Sequence, residues 1–289
     1  MNKYQLFILT AIFFLFTAFK TDNPAYVLYT NKGKTVKYSK MLRKTKRADI
    51  VLFGESHSNP ISHWLQLEIT KDLYEIKKND LVLGAEMFEA DNQLILSEYL
   101  DGFISQNRFE AEMRLWPNYK TDYKPLVEFA KQNELIFVAT NIPRRYAAVV
   151  NSEGFEGLQE LSGKAKQYLP PLPVPFDPEL ESYKSLLEIG GVHGHANENF
   201  PKAQAIKDAA MAHFILQNWS SGKLFLHFNG SYHSDNYESI NWYLKQYNAD
   251  VKIVTITTVS QEDISELSEE NEGKADFIIC VDEDMTKTR

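Results

Sequence analysis

The stretch DIVLFGESHSNPISHWLQLEI, residues 49–69, decides how the rest of the chain is read. From Ile50 to Phe53 it is continuously apolar, which suits a strand covered on both faces better than one wetted on a side. The run breaks at Gly54-Glu55, and Asn59-Pro60 follows. Proline is favourable at the first helical position and Ser58 or Asn59 can cap it, so the spacing predicts a helix from about Pro60. A buried strand, a short polar turn and a helix make one βα unit of a parallel sheet. His63 then lies on the first helical turn, facing the same edge as His57.

The same character recurs downstream in LVLGAEM (81–87), LIFVATN (135–141), KLFLHFNG (223–230), KIVTITTV (252–259) and ADFIICV (275–281). Amphipathic segments at 61–77, 91–99, 123–132, 203–218 and 237–246 alternate with these runs. The alternation predicts an α/β domain over 45–285, with a largely parallel central sheet flanked by helices. Residues 154–200 break the rhythm with the proline cluster YLPPLPVPFDPEL, and read as a helical, Pro-rich insertion acting as a lid. SELSEENEGK, 265–274, reads as an acidic surface loop.

Composition narrows the chemistry. With 289 residues, 44% of them hydrophobic, the chain can bury a full core, and a net charge of -8 excludes a phosphate-tracking surface, so nucleic acid is not an expected partner. The single Cys280 makes no internal disulfide, no Cys/His spacing suits structural zinc, and DFIICVDED reads as a buried strand thiol. The N-terminus, MNKYQLFILTAIFFLFTAFKTDN, has a lysine and then an apolar run over 6–19, the layout of a signal peptide. Such a run is short for a bilayer span, and Thr17-Ala18-Phe19 is a poor cleavage pattern, so residues 1–21 are read as a signal peptide or an N-terminal anchor. The protein is expected to be exported, to the periplasm or a membrane-associated cell envelope, touching membrane only through this segment.

In open parallel sheets ligands sit at the carboxyl ends of the strands. Here those ends carry Glu55 and His57, then Glu86, then Asn141 with Arg144 and Arg145, then His233. Gly54-Glu55-Ser56-His57 and Gly230-Ser231-Tyr232-His233 share one spacing, and a glycine after a strand permits a tight or positive-φ turn that aims the following side chains over the edge. If the strands are parallel neighbours, two glutamates, two histidines and an arginine pair share one rim.

LFGESHSNPISHWLQLEI, LGAEMFEADNQ, LWPNYKTDYKPLVEFAK, VATNIPRRYAAVV, YLPPLP, AQAIKDAAMAHFI and FNGSYHSDN together resemble the ChaN-like haem-binding uptake family, from about Ala48 to Val259. That family is similar to the wider grouping of Tiki proteases and erythromycin esterases, with paired GxxH motifs and acidic residues. The resemblance implies haem, or a related tetrapyrrole, as cofactor and a role in iron uptake. Family members are typically lipoproteins, whereas this chain lacks a lipid-attachment cysteine after the apolar run.

Haem iron takes an axial ligand from His, Tyr, Cys or Met. The candidates are His57, His63, His193, His195 and His233, with Tyr119, Tyr123 and Tyr146. Arg144 and Arg145 suit the propionates, or else form salt bridges to acidic residues of the same edge. Trp116 and Tyr119 could line a flat slot or simply cover the core. His193 and His195, in a glycine-rich segment, read first as a polar loop; His213 and His227 read as satisfied core histidines. The competing reading is a hydrolase in which Glu55, His57, Glu86 and His233 hold a divalent metal such as zinc or manganese, or act as a Glu/His general base without one. No GxSxG or HExxH motif is present. A homodimer, with two haems across its interface, stays open.

Overall fold

The computed structural model describes residues 24–192 and 197–288. The expected signal peptide or anchor over 1–21, and His193 and His195, lie outside the described residues. Seven strands form one sheet: β1 (Tyr26–Thr30), β2 (Ile50–Glu55), β3 (Leu81–Glu89), β4 (Phe137–Asn141), β5 (Leu224–Gly230), β6 (Ile253–Gln261) and β7 (Phe277–Asp282), in the order β1-β7-β6-β2-β5-β3-β4. All pairings are parallel except that of β1 with β7. The fold is the expected α/β class. The short edge strand β1 lies ahead of the 45–285 span predicted for the domain, because YVLYT is half-buried and lacks the continuous apolar signal of the central strands.

The strands are apolar on both faces because helices cover both. Val51 and Phe53 point into one layer with α1 (Tyr38–Thr45), α2 (Pro60–Lys77), α3 (Gln93–Leu100), α4 (Gln106–Glu112) and α5 (Lys124–Gln132). Ile50 and Leu52 point into the other, against α6 (Arg144–Glu153), α7 (Phe200–Asn218) and α8 (Ile240–Tyr247). The proline-rich region contributes Leu169, Val174 and Tyr183 to this second layer. The helix Glu181–Val192 continues from it.

β2, β5 and β3 are consecutive neighbours in the sheet. Their carboxyl ends therefore lie side by side. The first helix after this rim starts as its sequence requires: Asn59 Oδ1 accepts from the backbone N–H groups of Ile61 (3.0 Å) and Ser62 (3.2 Å), with Pro60 at the first position.

Candidate functional site

Glu55 is the last residue of β2, level with Gly230 at the end of β5. Glu86 reaches across from β3, and its Oε2 accepts the Gly230 N–H at 2.7 Å. Glu55, His57, Glu86 and His233 thus gather around the Gly230 backbone. The glycines here serve close approach and not positive φ. Gly230 has φ -57°, and a Cβ on it would lie 2.7 Å from the His57 ring; one on Gly54 would lie 2.9 Å from the Ser231 Cα.

The Glu55 carboxylate is fully buried and satisfied from several sides. His57 Nδ1–H donates to Oε1 at 2.8 Å, the Tyr123 hydroxyl donates to the same oxygen at 2.6 Å, and Gln66 Nε2 donates to Oε2 at 2.6 Å. Burial opposes charge on the His57 ring, but the Glu55 hydrogen bond and the charges of Glu86 and Glu55 outweigh it, so its pKa is raised. With Nδ1 engaged, His57 Nε2 has no hydrogen-bond partner among the described residues. The side chain is 34% exposed and borders a cavity of about 460 Å³ that Ser56, Gln204, Ser231, Thr258 and Ser260 also line. The Trp116 ring meets His57 edge-on at 5.0 Å.

His233 is held differently. Its Nδ1–H donates to Asp208 Oδ1 at 2.5 Å and its Nε2–H faces Glu86 Oε1 at 3.2 Å, so both ring nitrogens point at carboxylates. Burial disfavours the imidazolium, yet Glu86 and Asp208 prevail and push the pKa up to about 10. Glu86 is held well below the usual carboxylate range: burial works against its charge, but the His233 cation prevails. Burial raises Asp208, against the His233 charge and the hydroxyl of Tyr183, which donates to Oδ2 at 2.9 Å. The result is a buried cation between two acids.

His63 is buried beneath this layer, with Nδ1 3.1 Å from Gln66 Oε1 and Nε2–H donating to the His57 carbonyl at 3.1 Å. Asn118 Nδ2 donates to the same carbonyl (2.9 Å) and to Asp122 Oδ2 (2.6 Å). These contacts make His63 a support of the His57 loop. Tyr119, Tyr123 and Tyr146 are buried, Tyr119 against Phe88 and Phe109. Burial raises the Tyr119 phenol; burial and Glu55 raise that of Tyr123, so both hydroxyls stay protonated.

The two arginines start α6 and separate there. Arg145 pairs with Asp91 at 2.6 Å and lies over the Tyr146 ring at 4.4 Å. The exposed Arg144 instead lines a second cavity of about 430 Å³, with Glu86, Trp116, Asn141 and Lys207. That cavity adjoins the first across the His57–Trp116 contact.

Asp208 and Gln66 are the members that sequence reasoning missed. Each is a polar residue with zero exposure on the buried face of its helix, and Asp208 stands between Ile206 and Ala209, both equally buried. A charge within such an alanine-rich stripe was the available signal. His227 is a satisfied core histidine, bonded to Thr140 (2.7 Å) and Asn229 (3.1 Å), with burial lowering its pKa to about 4. His213 is not a core residue: it is only partly buried, borders an open groove with Pro171 and Gln217, and packs on Phe214 at 5.1 Å. Cys280 is a buried thiol. Among the described residues no group of three or more His, Cys, Asp or Glu could hold a metal ion. Nor is any described helix long and apolar enough to cross a membrane.

A family model for haem-binding uptake proteins of the Tiki superfamily, ChaN, matches residues 41–244. ChaN of Campylobacter jejuni, solved for its cofacial heme binding, superposes with TM-score 0.65 and 17% identity, over 90% of this chain and 98% of its own. At that identity the likeness is one of fold. An erythromycin esterase, EreC, in its open conformation has TM-score 0.49 and 11% identity, over 88% of this chain and 97% of its own. Protein RETICULATA-RELATED 5, a chloroplastic protein of Arabidopsis thaliana, is 26% identical over 192 residues, 62% of this chain. The chain spans 26% of that relative's length.

Proposed function

The chain belongs to the haem-binding uptake family of the Tiki superfamily, ChaN, and from that premise we propose that it is an exported protein of iron uptake that binds haem at the carboxyl rim of its sheet. The observation that carries this reading is the state of the His57 ring. Nδ1–H is held by a buried carboxylate while Nε2 is unpartnered and borders the cavity. Once its Nε2 proton is given up, an imidazole whose Nδ1–H is held in this way presents its lone pair at Nε2, as histidines that ligate metals do. Haem, when bound, would supply an iron that His57 Nε2 would ligate.

The neighbouring residues support the same choice. Trp116 gives an apolar wall beside the imidazole, and Arg144 with Lys207 supplies cations in the adjoining cavity for carboxylate groups such as propionates. His233 serves as a buttress beneath them. A homodimer belongs to this reading, as does location in the periplasm or held at a cell-envelope membrane.

Titration of the purified protein with haemin tests the reading. A saturable Soret shift, lost in His57→Ala, is expected; the absence of a shift in the wild type overturns it. The partly exposed His57 ring over the buried Glu55 carboxylate also favours a second, enzymatic reading, in which His57 acts as general base on water in an ester or peptide hydrolase. Ester turnover that disappears in His57→Ala, without any Soret shift, selects that reading.

A further inference from the structure

We propose that the N-terminal apolar run seats this protein on a lipid surface with the carboxyl rim of its sheet, and so the mouth of its cavity, turned toward the bilayer. The proposal rests on the reading of residues 1–21 as a retained anchor. Its structural basis is the direction of β1. Because β1 alone runs antiparallel, its first residue stands at the carboxyl rim: Tyr26 pairs with Val281, and Val281 with Ser260. Ser260 lines the cavity of about 460 Å³. Two strand spacings, roughly 10 Å, therefore separate the start of the sheet from the pocket wall. A parallel first strand would have put the chain's entry at the opposite rim.

The sequence ahead of β1 limits how far the rim can stray. Residues 20–25 lie between the apolar run and Tyr26, and six extended residues reach at most about 20 Å. The rim also presents an aromatic pair: Tyr26 contacts Trp64 with ring centroids 6.1 Å apart, and Trp64 is 48% exposed beside His63 on the first turn of α2. Indole and phenol rings with one apolar and one polar end suit the headgroup level of a bilayer. Beside β1 the segments that follow β6 and β7 are net acidic, with Glu262, Asp263, Glu283 and Asp284 against Lys287, while the cations Arg144 and Lys207 line the cavity on the β3–β4 side of the rim, so the lipid surface that fits next to the anchor is zwitterionic and not anionic. Haem is flat and largely apolar. A mouth held at the bilayer would exchange it with the membrane without passage through water.

The test uses the full-length chain with phosphatidylcholine vesicles and one environment-sensitive label, on Glu262→Cys at the carboxyl rim or Asn79→Cys at the opposite one. Buried Cys280 leaves each introduced thiol as the labelled position. Expected are flotation with the vesicles, and a blue shift with loss of emission to nitroxide-bearing lipids at position 262 only. Flotation with equal quenching at both positions, or quenching at 79 alone, overturns the orientation while leaving the anchor intact. Failure to float overturns the anchor, and the orientation with it. Tighter binding when phosphatidylglycerol is added overturns the preference for a zwitterionic surface.

Discussion

Gly54-Glu55-Ser56-His57 and Gly230-Ser231-Tyr232-His233 share one spacing at the ends of paired strands, yet their histidines finish in opposite states. The His57 side chain is 34% exposed with one nitrogen engaged; that of His233 is 7% exposed with both nitrogens facing carboxylates. The cause is what each loop meets. The β5 loop is closed from two sides, by Glu86 of β3 and Asp208 of α7, whereas the β2 loop finds its acid in its own strand and keeps the outer nitrogen unpartnered. A repeated motif therefore fixed where two imidazoles stand. Their neighbours divided the work, leaving one able to meet a ligand and making the other part of the frame.

The largest expected effect breaks that frame. Asp208→Ala removes one partner of a buried ionic cluster, which costs about 3–5 kcal/mol. In a chain of this length the melting temperature should fall by roughly 10 °C, while His57→Ala shifts it by only a few degrees. Equal melting temperatures for the two variants would erase the contrast.

The next effect is on pH. The His233 pKa is raised from 6.5 to about 10, so the stability it adds is complete below pH 6.5 and is lost as pH rises through about 10. Glu86 is depressed, so its contribution is present above its ordinary value of 4.5 and is lost as pH falls through its lower folded value. Urea midpoints should be highest between those limits and decline on the alkaline side. The decline should persist in His57→Ala and flatten in His233→Gln.

Two smaller effects sharpen the ligand side. In Gly230→Ala the new Cβ would meet the His57 ring at 2.7 Å, and the half-exposed ring can yield only by loosening its bond to Glu55. Haem affinity should drop about tenfold, near 1.4 kcal/mol, with a smaller loss of stability. Arg144→Ala should weaken haem by about 1 kcal/mol, the scale of one partly exposed charged contact. Arg145→Ala breaks a surface pair with Asp91 and should leave haem affinity unchanged in the same titration.

Much of this was legible in the sequence, for identifiable reasons. The central strands announced themselves because a sheet covered on both faces must be apolar on both, and the start at Pro60 followed from its cap. β1 did not, since YVLYT is only partly buried and shows no continuous apolar run. The rim residues Glu55, His57, Glu86 and His233 followed from their places at strand ends. Their division of labour did not, because it depends on Asp208, which a helix far along the chain delivers. Sequence likewise treated Arg144 and Arg145 alike, although adjacent helical positions project about 100° apart and meet different surroundings.

The most direct test of the two-histidine account is diethyl pyrocarbonate footprinting with mass spectrometry, on the protein alone and loaded with haem. The account predicts that His57 is carbethoxylated quickly in the free protein and protected once haem is bound, while His233 stays unmodified in both. Modification of His233 as fast as that of His57, or a His57 rate indifferent to haem, would contradict it.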